Sequence, residues 1–403
     1  MKILFLHNNF PAQFGAIGQY LAGEGWQVTF MTQRQGAKAD GIETVVYRDR
    51  EMPKDLKPHP FLAGATKAVV TGASAVEVGT LLRDKKGYRP DLIVAHSGWG
   101  PGMYLKDVWS DVPYVGYFEW YYRGDADDIT FLSGPDRPPL ERARERTRNA
   151  PILTDLTACE AGLVPTRYQA SQFPSLFRPK LTVLHDGIDT ETYAPGDPGP
   201  VTFGQHTFRK GDEVVTYVAR GMEPYRGFPE FMAALATVQK RRPNLRAIVV
   251  GEDRVAYGRK HPSGKTYKEV ALEELDLDPA RICFTGLLGR RDYLRVLQVS
   301  GVHAYLTVPF VLSWSSMEAM SAGCLMLASD TAPVREVMRH GENAVLADHR
   351  DAEALADALE DTLARRDELA PLRAAARRTI LESYAARDVY PAKKVWFAGL
   401  TGA

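Results

Sequence analysis

Short apolar runs that alternate with helical patterns constrain the fold of this chain more than any other feature. KILFLH, residues 2–7, precedes a helical pattern in AIGQYLAGEG and then the apolar run WQVTFMT. The alternation continues through DLIVAH, VPYVGYF and LTVLHDG, and later through DEVVTYVAR, LRAIVVGE, RICFTG, VHAYLTV and CLMLASD. Because strands that alternate with helices form parallel sheets covered on both faces, the pattern predicts a doubly wound α/β fold.

The chain has 403 residues, which is more than a single ordinary core accommodates. The Pro/Gly-rich stretch APGDPGPVTFGQ predicts a linker near residues 194–205. We therefore expect a Rossmann-like domain over 1–195, a second over 196–380, and a C-terminal helix over 381–403 that packs back on the first. Two such domains are expected to face a cleft, because ligands of doubly wound sheets bind at the carboxyl ends of the strands.

Composition excludes several functional classes. Fifty basic residues balance fifty acidic ones, so no overall field favours nucleic acid. Cys159, Cys283 and Cys324 are far apart and form no CxxC or Cys/His cluster, which favours a reducing, cytoplasmic location over a disulfide framework or a zinc site. No apolar run approaches the roughly 20 residues of a membrane span, so we expect peripheral membrane contact at most.

ARGMEPYRGF follows the strand pattern VVTYV and places Arg220 and Arg226 in a strand-to-helix loop. Two guanidinium groups in such a loop suit a diphosphate, since each presents a fork of donors to phosphate oxygens. Gly221 and Gly227 permit close approach of the backbone. Ordinary surface arginines are the alternative interpretation of this pair taken alone.

PFVLSWSSMEAMSAG, residues 309–323, contains Ser315 and Glu318 at the spacing of a capping box. The start of such a helix also binds anions, and a carboxylate one turn further on can accept hydrogen bonds from a ribose. After RICFTG, backbone groups could contact the edge of a base. The predicted nucleotide-sugar site therefore contains Arg220 and Arg226 together with Gly286, Leu287, Leu288, Ser313, Trp314, Ser315, Ser316 and Glu318.

The first domain lacks a dinucleotide fingerprint, which disfavours a nicotinamide dehydrogenase. HNNFPAQFGAIG has no G-x-G-x-x-G, and the near match GWGPGM has Met103 where the third glycine belongs. His96 and Glu119 each follow an apolar strand and are candidates for acid/base chemistry; pairing with Arg123 is the alternative for Glu119. DAD at 125–127 resembles a metal-binding DxD but is interpreted as loop carboxylates, so we expect no metal and no cofactor.

Together these stretches resemble glycosyltransferase family 4, retaining enzymes of the GT-B fold, over nearly the whole chain. The loop HNNFPAQFGAIG is similar to the family's N-terminal loop, which implies acceptor-side positions at Asn8, Asn9 and Gly15. ARGMEPYRGF resembles the Arg-x5-Lys pair that holds the donor diphosphate, with Arg226 in the place of the lysine.

PFVLSWSSMEAMSAG resembles the E-x7-E region of the family, and it departs from that pattern at one end. Glu318 matches the second Glu, which contacts the nucleotide ribose in the family, whereas Phe310 occupies the first position, which approaches the donor sugar. Many relatives place a His after the strand matched by YVGYF. Glu119 stands there in this chain, and His96 is the other candidate.

The resemblance implies transfer of a hexose-type sugar from a nucleotide diphosphate sugar, with UDP favoured, to an acceptor hydroxyl. The implied catalytic residues are Arg220, Arg226, Glu119 and His96, and the leaving phosphate itself takes the acceptor proton. The implied partners are this donor and a small-molecule, lipid or saccharide acceptor. Two alternatives remain: a sugar-nucleotide epimerase of the same architecture, and an inactive nucleotide-sugar-binding protein, which Phe310 motivates.

Overall fold

The computed structural model describes residues 1–52, 55 and 57–402, and these fold into two compact units. The first unit contains Met1–Ala126, Pro135–Gly187 and the segment from Arg387 onward. The second unit contains Asp127–Gly134 and Ile188–Ala386. Each unit is built on a parallel sheet, which confirms the predicted α/β class.

The N-terminal half of the chain supplies the sheet of the first unit. Its strands are β1 Lys2–Leu6, β2 Gln27–Thr32, β3 Ile42–Val46, β4 Leu92–His96, β5 Tyr114–Tyr117, β6 Ala161–Val164 and β7 Leu181–Val183. Its helices are α1 Gly15–Gly23, α2 Ala63–Lys86, α3 Leu105–Val108, α4 Asp127–Ser133, α5 Pro139–Thr147, α6 Ala150–Ala158 and α7 Arg167–Ser171, of which α4 lies in the second unit. The strand order is β3-β2-β1-β4-β5-β6-β7.

The second unit repeats the arrangement with a different set of elements. Its strands are β8 Val201–Phe203, β9 His206–Phe208, β10 Val214–Gly221, β11 Arg246–Glu252, β12 Ile282–Gly286, β13 Val302–Tyr305, β14 Met326–Ser329 and β15 Val345–Ala347. Its helices are α8 Phe228–Arg241, α9 Tyr267–Glu274, α10 Arg290–Val299, α11 Trp314–Ser321, α12 Ala332–Arg335, α13 Ala352–Ala364 and α14 Ala370–Ser383. The main sheet has the order β12-β11-β10-β13-β14-β15, and β8 and β9 form a separate hairpin.

Strand β1 is apolar from Ile3 to Leu6 because both of its faces are covered. Leu4 and Leu6 of β1 enter one core cluster, and Ile3 and Phe5 enter the cluster on the opposite face. Successive side chains of a strand point to opposite faces, so a strand buried on both sides is a continuous apolar run. KILFL is such a run, as the sequence predicted.

Each sheet reverses its strand order beside its first strand. β1 lies between β2 and β4, and β10 lies between β11 and β13. Crossover connections leave such a strand in opposite directions, which opens a crevice at its carboxyl end where doubly wound folds bind ligands. The loops after β1, β4, β10 and β13 are therefore the places to look for function.

The division of the chain differs from the predicted boundary at 195/196. The first unit ends at Gly187, because the residues that follow are hydrogen-bonded to the second unit: the Ile188 N–H donates to the Tyr384 carbonyl oxygen at 2.8 Å. The Ala194 carbonyl oxygen likewise accepts Nε2 of Gln298 at 3.0 Å. A Pro/Gly-rich composition located the linker region but could not show which unit it contacts.

Helix α4 also departs from the predicted division, since it lies in the second unit although its flanking segments lie in the first. The hydroxyl of Tyr225 donates to Oδ2 of Asp128 at 3.0 Å, and the ring of Phe131 stacks on His349 with centroids 5.1 Å apart. These contacts hold α4 on the second unit, and its sequence carries no motif that predicts them.

Helix α2 and the turn before it, Pro60–Lys86, are long and apolar enough to cross a membrane by length and composition. Ala75 and Leu82 of this helix lie in the core with Ile93. Since a core helix of a soluble protein satisfies the same criterion, we make no membrane assignment from it.

The last helix, α15 Ala386–Leu400, packs on the first unit. The ring of Phe397 meets Phe5 edge-on with centroids 6.3 Å apart. Nζ of Lys393 lies 3.1 Å from Oδ1 of Asp186, and both side chains are almost completely buried. The hydroxyl of Tyr117 donates to the other oxygen of this carboxylate at 2.7 Å.

Lys393→Ala should lower the free energy of unfolding by about 3–5 kcal/mol, because it leaves the buried Asp186 carboxylate without its cation. Urea denaturation at neutral pH measures this change. The adjacent Lys394 pairs with Glu24 at 2.6 Å on the surface, so Lys394→Ala is the matched control and should change little. Equal effects of the two substitutions would contradict the assignment of the buried pair.

Candidate functional site

The loops that follow β10 and β13 are hydrogen-bonded to each other. The first contains the short helical turn Pro224–Arg226 and leads to α8, and the second runs over residues 306–313 and leads to α11. The Val308 N–H donates to the Tyr225 carbonyl oxygen at 3.2 Å. The two loops therefore form one continuous surface at the carboxyl ends of β10 and β13, which is the switch point of the second sheet.

The side chain of Arg226 lies between the two loops and is buried, with the residue 7% exposed. Its Nη1 donates to Oγ1 of Thr307 at 3.0 Å and to the Val311 carbonyl oxygen at 3.1 Å. Its guanidinium carbon lies 5.4 Å from the ring centroid of Tyr257. These partners are neutral, and no carboxylate in the described ranges forms an ion pair with Arg226. Its positive charge thus has no directly bonded counter-ion.

Arg220, near the end of β10, is exposed. Within residues 1–52, 55 and 57–402, it forms no hydrogen bond or ion pair, including none with the serine turn. The next residue, Gly221, must be glycine, since a Cβ there would lie 2.5 Å from the Arg254 carbonyl oxygen. The two predicted arginines therefore differ. Arg226 holds the two loops together, and the Arg220 guanidinium is available to a ligand.

The serine-rich turn at the start of α11 is joined to Arg226 through one tyrosine. The Ser313 N–H donates to the hydroxyl of Tyr305 at 2.9 Å, and this hydroxyl also accepts Nη1 of Arg226 at 3.4 Å. Oγ of Ser316 donates to the Ser313 carbonyl oxygen at 2.8 Å. The structure thus brings Arg226 and the predicted serine turn together.

The predicted capping box between Ser315 and Glu318 is wrong. Helix α11 begins at Trp314, its N-cap is Ser313, and Oγ of Ser313 accepts the Ser315 N–H at 3.3 Å. A capping box requires the acid three residues after the N-cap, and Ser316 occupies that position. The backbone becomes helical two residues earlier than the motif suggested, so Glu318 does not cap the helix.

Glu318 instead lies in a half-buried position between two tyrosines. Burial raises the pKa of its carboxyl group, and hydrogen bonds from Tyr293 and Tyr193 act in the opposite direction. The two tyrosine rings meet edge-on with centroids 5.8 Å apart. The carboxylate therefore lies near two tyrosines, and its role towards a ribose stays a prediction.

Phe310 forms the centre of an aromatic cluster beside Arg226. It is 8% exposed, and the rings of Tyr225 and Tyr257 each lie 5.4 Å from it, centroid to centroid. The guanidinium carbon of Arg226 lies 5.9 Å from its ring. An apolar surface therefore stands where the family pattern has a carboxylate.

Glu223 is a site residue that the sequence analysis missed. It is completely buried, and the Tyr257 N–H donates to both of its oxygens, at 2.9 and 2.7 Å. Burial raises its pKa to about 7, against the opposing effect of this N–H and the nearby charge of Arg226. Glu223 thus fixes the loop that carries Tyr257. In the sequence, its position between Arg220 and Arg226 was the one feature that could have indicated a role in the site.

The predicted base-contacting residues lie further along the sheet. Gly286 ends β12, the edge strand, and has a φ of +68° that suits glycine. Leu287 is 64% exposed and Trp314, at the start of α11, is 39% exposed. Contact of these residues with a base stays a prediction.

His96 and Glu119 form a pair at the switch point of the first unit. Nε2 of His96 lies 3.4 Å from Oε2 of Glu119, and Nε2 of Gln13 donates to Oε1 at 2.6 Å. Burial by itself would raise the pKa of Glu119, but the hydrogen bond and charge of His96 and the contact with Gln13 lower it below its usual value. The two candidates for acid/base chemistry, His96 and Glu119, are therefore members of one pair. In the described residues, Arg123 is not the partner of Glu119.

The predicted acceptor-side loop is held by its own hydrogen bonds. Oδ1 of Asn8 accepts the hydroxyl of Tyr47 at 2.7 Å, and the Asn9 N–H donates to Nδ1 of His7 at 2.8 Å. Gly15 must be small because a Cβ there would lie 2.3 Å from Cβ of Pro11. These residues shape the loop beside His96, and contact with an acceptor stays a prediction.

The DAD stretch is divided between structural roles. Arg123 lies 3.9 Å from Asp125, and Asp127 begins α4. In the described part of the chain, no group of three or more His, Cys, Asp or Glu side chains is placed to hold a metal ion.

Two parallel-sheet units, each reversing its strand order beside its first strand, define the GT-B class of glycosyltransferase folds. Two family models match the sequence: Glycosyl transferase family 4 group over residues 24–193 and Glycosyl transferases group 1 over residues 200–379. The chain belongs to glycosyltransferase family 4, as the motifs indicated.

Two relatives are similar in sequence to part of the chain, and one solved structure shares its fold. EpsD of Bacillus subtilis is 26% identical over 50% of this chain and 50% of its own length. The GDP-mannose-dependent alpha-(1-6)-phosphatidylinositol monomannoside mannosyltransferase of Mycobacterium tuberculosis is 23% identical over 53% and 55%. The chain therefore aligns with about half the length of these relatives. Anabaena HepE in complex with UDP-glucose superposes with a TM-score of 0.69 at 16% identity over 99% of this chain and 100% of HepE, which shows a common fold.

Arg226→Ala should lower the free energy of unfolding by about 2–3 kcal/mol, since it leaves buried acceptors on Thr307 and Val311 unsatisfied. Arg220→Ala should leave it almost unchanged, because the Arg220 side chain is exposed and unpaired in the described structure. Chemical denaturation compares the two variants. A large loss of stability in Arg220→Ala, or none in Arg226→Ala, would contradict the assigned roles.

Glu223→Gln should alter the pH dependence of stability. Folding raises the pKa of Glu223 to about 7, so its contribution is full below the unfolded value and is lost as the pH rises through about 7. The free energy of unfolding of the wild type, relative to that of the variant, should therefore fall as the pH rises from about 5 to 7. The fall should be at most about 1.4 kcal/mol per pH unit.

Urea denaturation at several pH values measures this difference. Glu342→Gln, at an exposed position paired with Arg339, is the control. A difference that does not change with pH would contradict the buried, titrating carboxyl group.

Proposed function

We propose that this chain is a retaining glycosyltransferase that moves a hexose-type sugar from a UDP-sugar to an acceptor hydroxyl without a metal ion. One observation carries the proposal. At the carboxyl end of β10, neither Arg220 nor Arg226 forms an ion pair with a carboxylate in the described ranges. Positive charge without a bonded carboxylate at a switch point is suited to the diphosphate of a nucleotide sugar.

Loss of the donor sugar leaves a nucleoside diphosphate with additional negative charge. Arg220 would meet that charge directly, and Arg226 would add its field from below the surface. Backbone N–H groups at the start of α11 add a partial positive charge. Because Arg226 and the start of α11 are held in place before reaction, they can stabilise the transition state without reorganisation. This supports transfer without a metal ion.

The nucleoside would be oriented by α11 and its neighbours. Glu318 lies near Tyr193 and Tyr293, and its half-buried carboxylate would accept hydrogen bonds from ribose hydroxyls. We favour uridine, the nucleoside in the HepE complex with UDP-glucose. The mycobacterial relative named for GDP-mannose makes guanosine the competing choice.

The His96–Glu119 pair would act on the hydroxyl groups of the substrates. The lowered pKa of Glu119 favours its ionised form, which would accept a hydrogen bond from a substrate hydroxyl and orient it. In a retaining front-face reaction, the leaving phosphate takes the acceptor proton. A strongly basic side chain is then unnecessary.

An inactive nucleotide-sugar-binding protein is the second candidate, and Phe310 favours it. The ring of Phe310 offers no hydrogen-bonding group to a sugar where the family has a carboxylate. Such a protein would bind the donor but release no nucleotide. Binding and turnover must therefore be measured separately.

A thermal-shift panel of UDP, GDP and dTDP and their glucose and mannose derivatives tests the donor site. A ligand present at about 100 times its Kd adds about 2.7 kcal/mol, so the preferred nucleotide should raise the melting temperature clearly. We expect UDP and UDP-glucose to give the largest shifts with magnesium chelated. A panel with no shift would overturn the donor site, and a larger shift with GDP would correct the base.

Arg220→Ala should lower kcat/KM for transfer by about 10²–10³-fold, which is the usual loss when a donor to a developing oxyanion is removed. Nucleotide release in the presence of an acceptor mixture measures this loss, and nuclear magnetic resonance of the product gives its anomeric configuration. Arg339→Ala, at an exposed arginine of the same unit, is the matched control. Unchanged turnover in Arg220→Ala would refute the role of this residue.

A further inference from the structure

Trp99 is an exposed aromatic ring at the switch point of the first unit. It follows β4 within GWGPGM, the stretch that almost matches a dinucleotide fingerprint, and it is 41% exposed. Tryptophan is a costly residue to leave in water because its ring is large and apolar. An exposed ring beside polar groups of a candidate site therefore suggests a ligand that covers it.

The turn that carries Trp99 is rigid. Gly98 and Gly100 have φ values of +90° and +92°, which glycine adopts readily. A Cβ on Gly100 would lie 2.0 Å from the Ala68 carbonyl oxygen, so this turn packs against the backbone of α2. Oγ of Ser97 donates to Oδ2 of the buried Asp155 at 2.6 Å, which fixes the first residue of the turn. Trp99 is thus presented by a turn anchored at both ends.

One side of the Trp99 ring is occupied by its neighbours in the structure. The ring stacks on His96 with centroids 4.4 Å apart and planes 18° apart, and it meets His7 edge-on at 5.2 Å. The exposed part of the ring is therefore the part turned away from these imidazoles. His96 in turn connects the platform to Glu119 through the 3.4 Å contact.

We propose that Trp99 is the stacking platform for a pyranose ring of the acceptor, which makes the acceptor a saccharide. This inference rests on the transferase function proposed above and specifies the class of acceptor. A pyranose has an apolar C–H face that packs on an aromatic ring, and hydroxyls at its edge that seek acceptors. Trp99 supplies the first contact, and the ionised Glu119, held by Gln13, supplies the second.

Two other ligands for an exposed tryptophan fit these surroundings less well. A lipid chain requires a continuous apolar surface, whereas the neighbours of Trp99 are the imidazoles of His7 and His96. A nucleobase would stack equally well, but Arg220 and Arg226, the arginines suited to the diphosphate of a nucleotide, lie in the second unit. The combination of one aromatic face with one oriented carboxylate favours a sugar.

The test uses methyl α- and β-glycosides of glucose, galactose and mannose, with the matching disaccharides, as probes of the intact chain. Ligand-observed nuclear magnetic resonance measures their binding without donor, and nucleotide release measures transfer with UDP-glucose. Trp99→Ala should weaken binding and raise KM for the preferred saccharide by about tenfold or more, and Trp99→Phe by less. Leu176→Ala, at a 79% exposed position, is the control for removal of a surface apolar group.

The outcomes separate this inference from the donor proposal. Loss of saccharide binding in Trp99→Ala, with the UDP-glucose thermal shift unchanged, supports the platform. Equal binding in wild type and Trp99→Ala, or transfer only to vesicles of anionic phospholipid, overturns it. Failure of the donor proposal appears separately as a missing thermal shift in wild type. Trp99→Phe distinguishes loss of stacking from misfolding, because it keeps an aromatic ring at the position.

Discussion

The contact of the Arg226 guanidinium with the loop after β13 is the interaction on which the candidate donor site depends. Through Nη1 the guanidinium binds Thr307 and the Val311 carbonyl oxygen, and through Tyr305 it is joined to the Ser313 turn. This one side chain therefore sets the separation of two loops that belong to different strands. It also places a positive charge at the switch point without a bonded carboxylate in the described structure.

Glu223 and the aromatic cluster complete this arrangement from the other side. The buried carboxylate holds the loop of Tyr257, and that ring packs against Phe310 beside Arg226. Replacing the usual carboxylate by Phe310 is thus accommodated by two neighbouring tyrosines. The change is a packed feature of this chain, and it makes the wall beside the proposed sugar position mainly apolar.

The first unit has a different set of side chains at its own switch point. Here a glycine-flanked turn, anchored on Asp155, presents Trp99 next to the His96–Glu119 pair. The two switch points therefore have complementary chemistry, one cationic and suited to phosphate, the other aromatic and suited to a ring with hydroxyls. The proposed donor and acceptor sites follow from this difference.

The sequence by itself determined the parallel sheets, the two-unit organisation and the positions of Arg220, Arg226 and the serine turn. Apolar periodicity and loop composition are local properties, and local patterns suffice to locate strand ends. Only the tertiary structure decided that Arg226 is buried, that burial raises the pKa of Glu223 and that α4 packs on the second unit. These facts depend on which residues far apart in the chain exclude water from one another, and no local pattern records that.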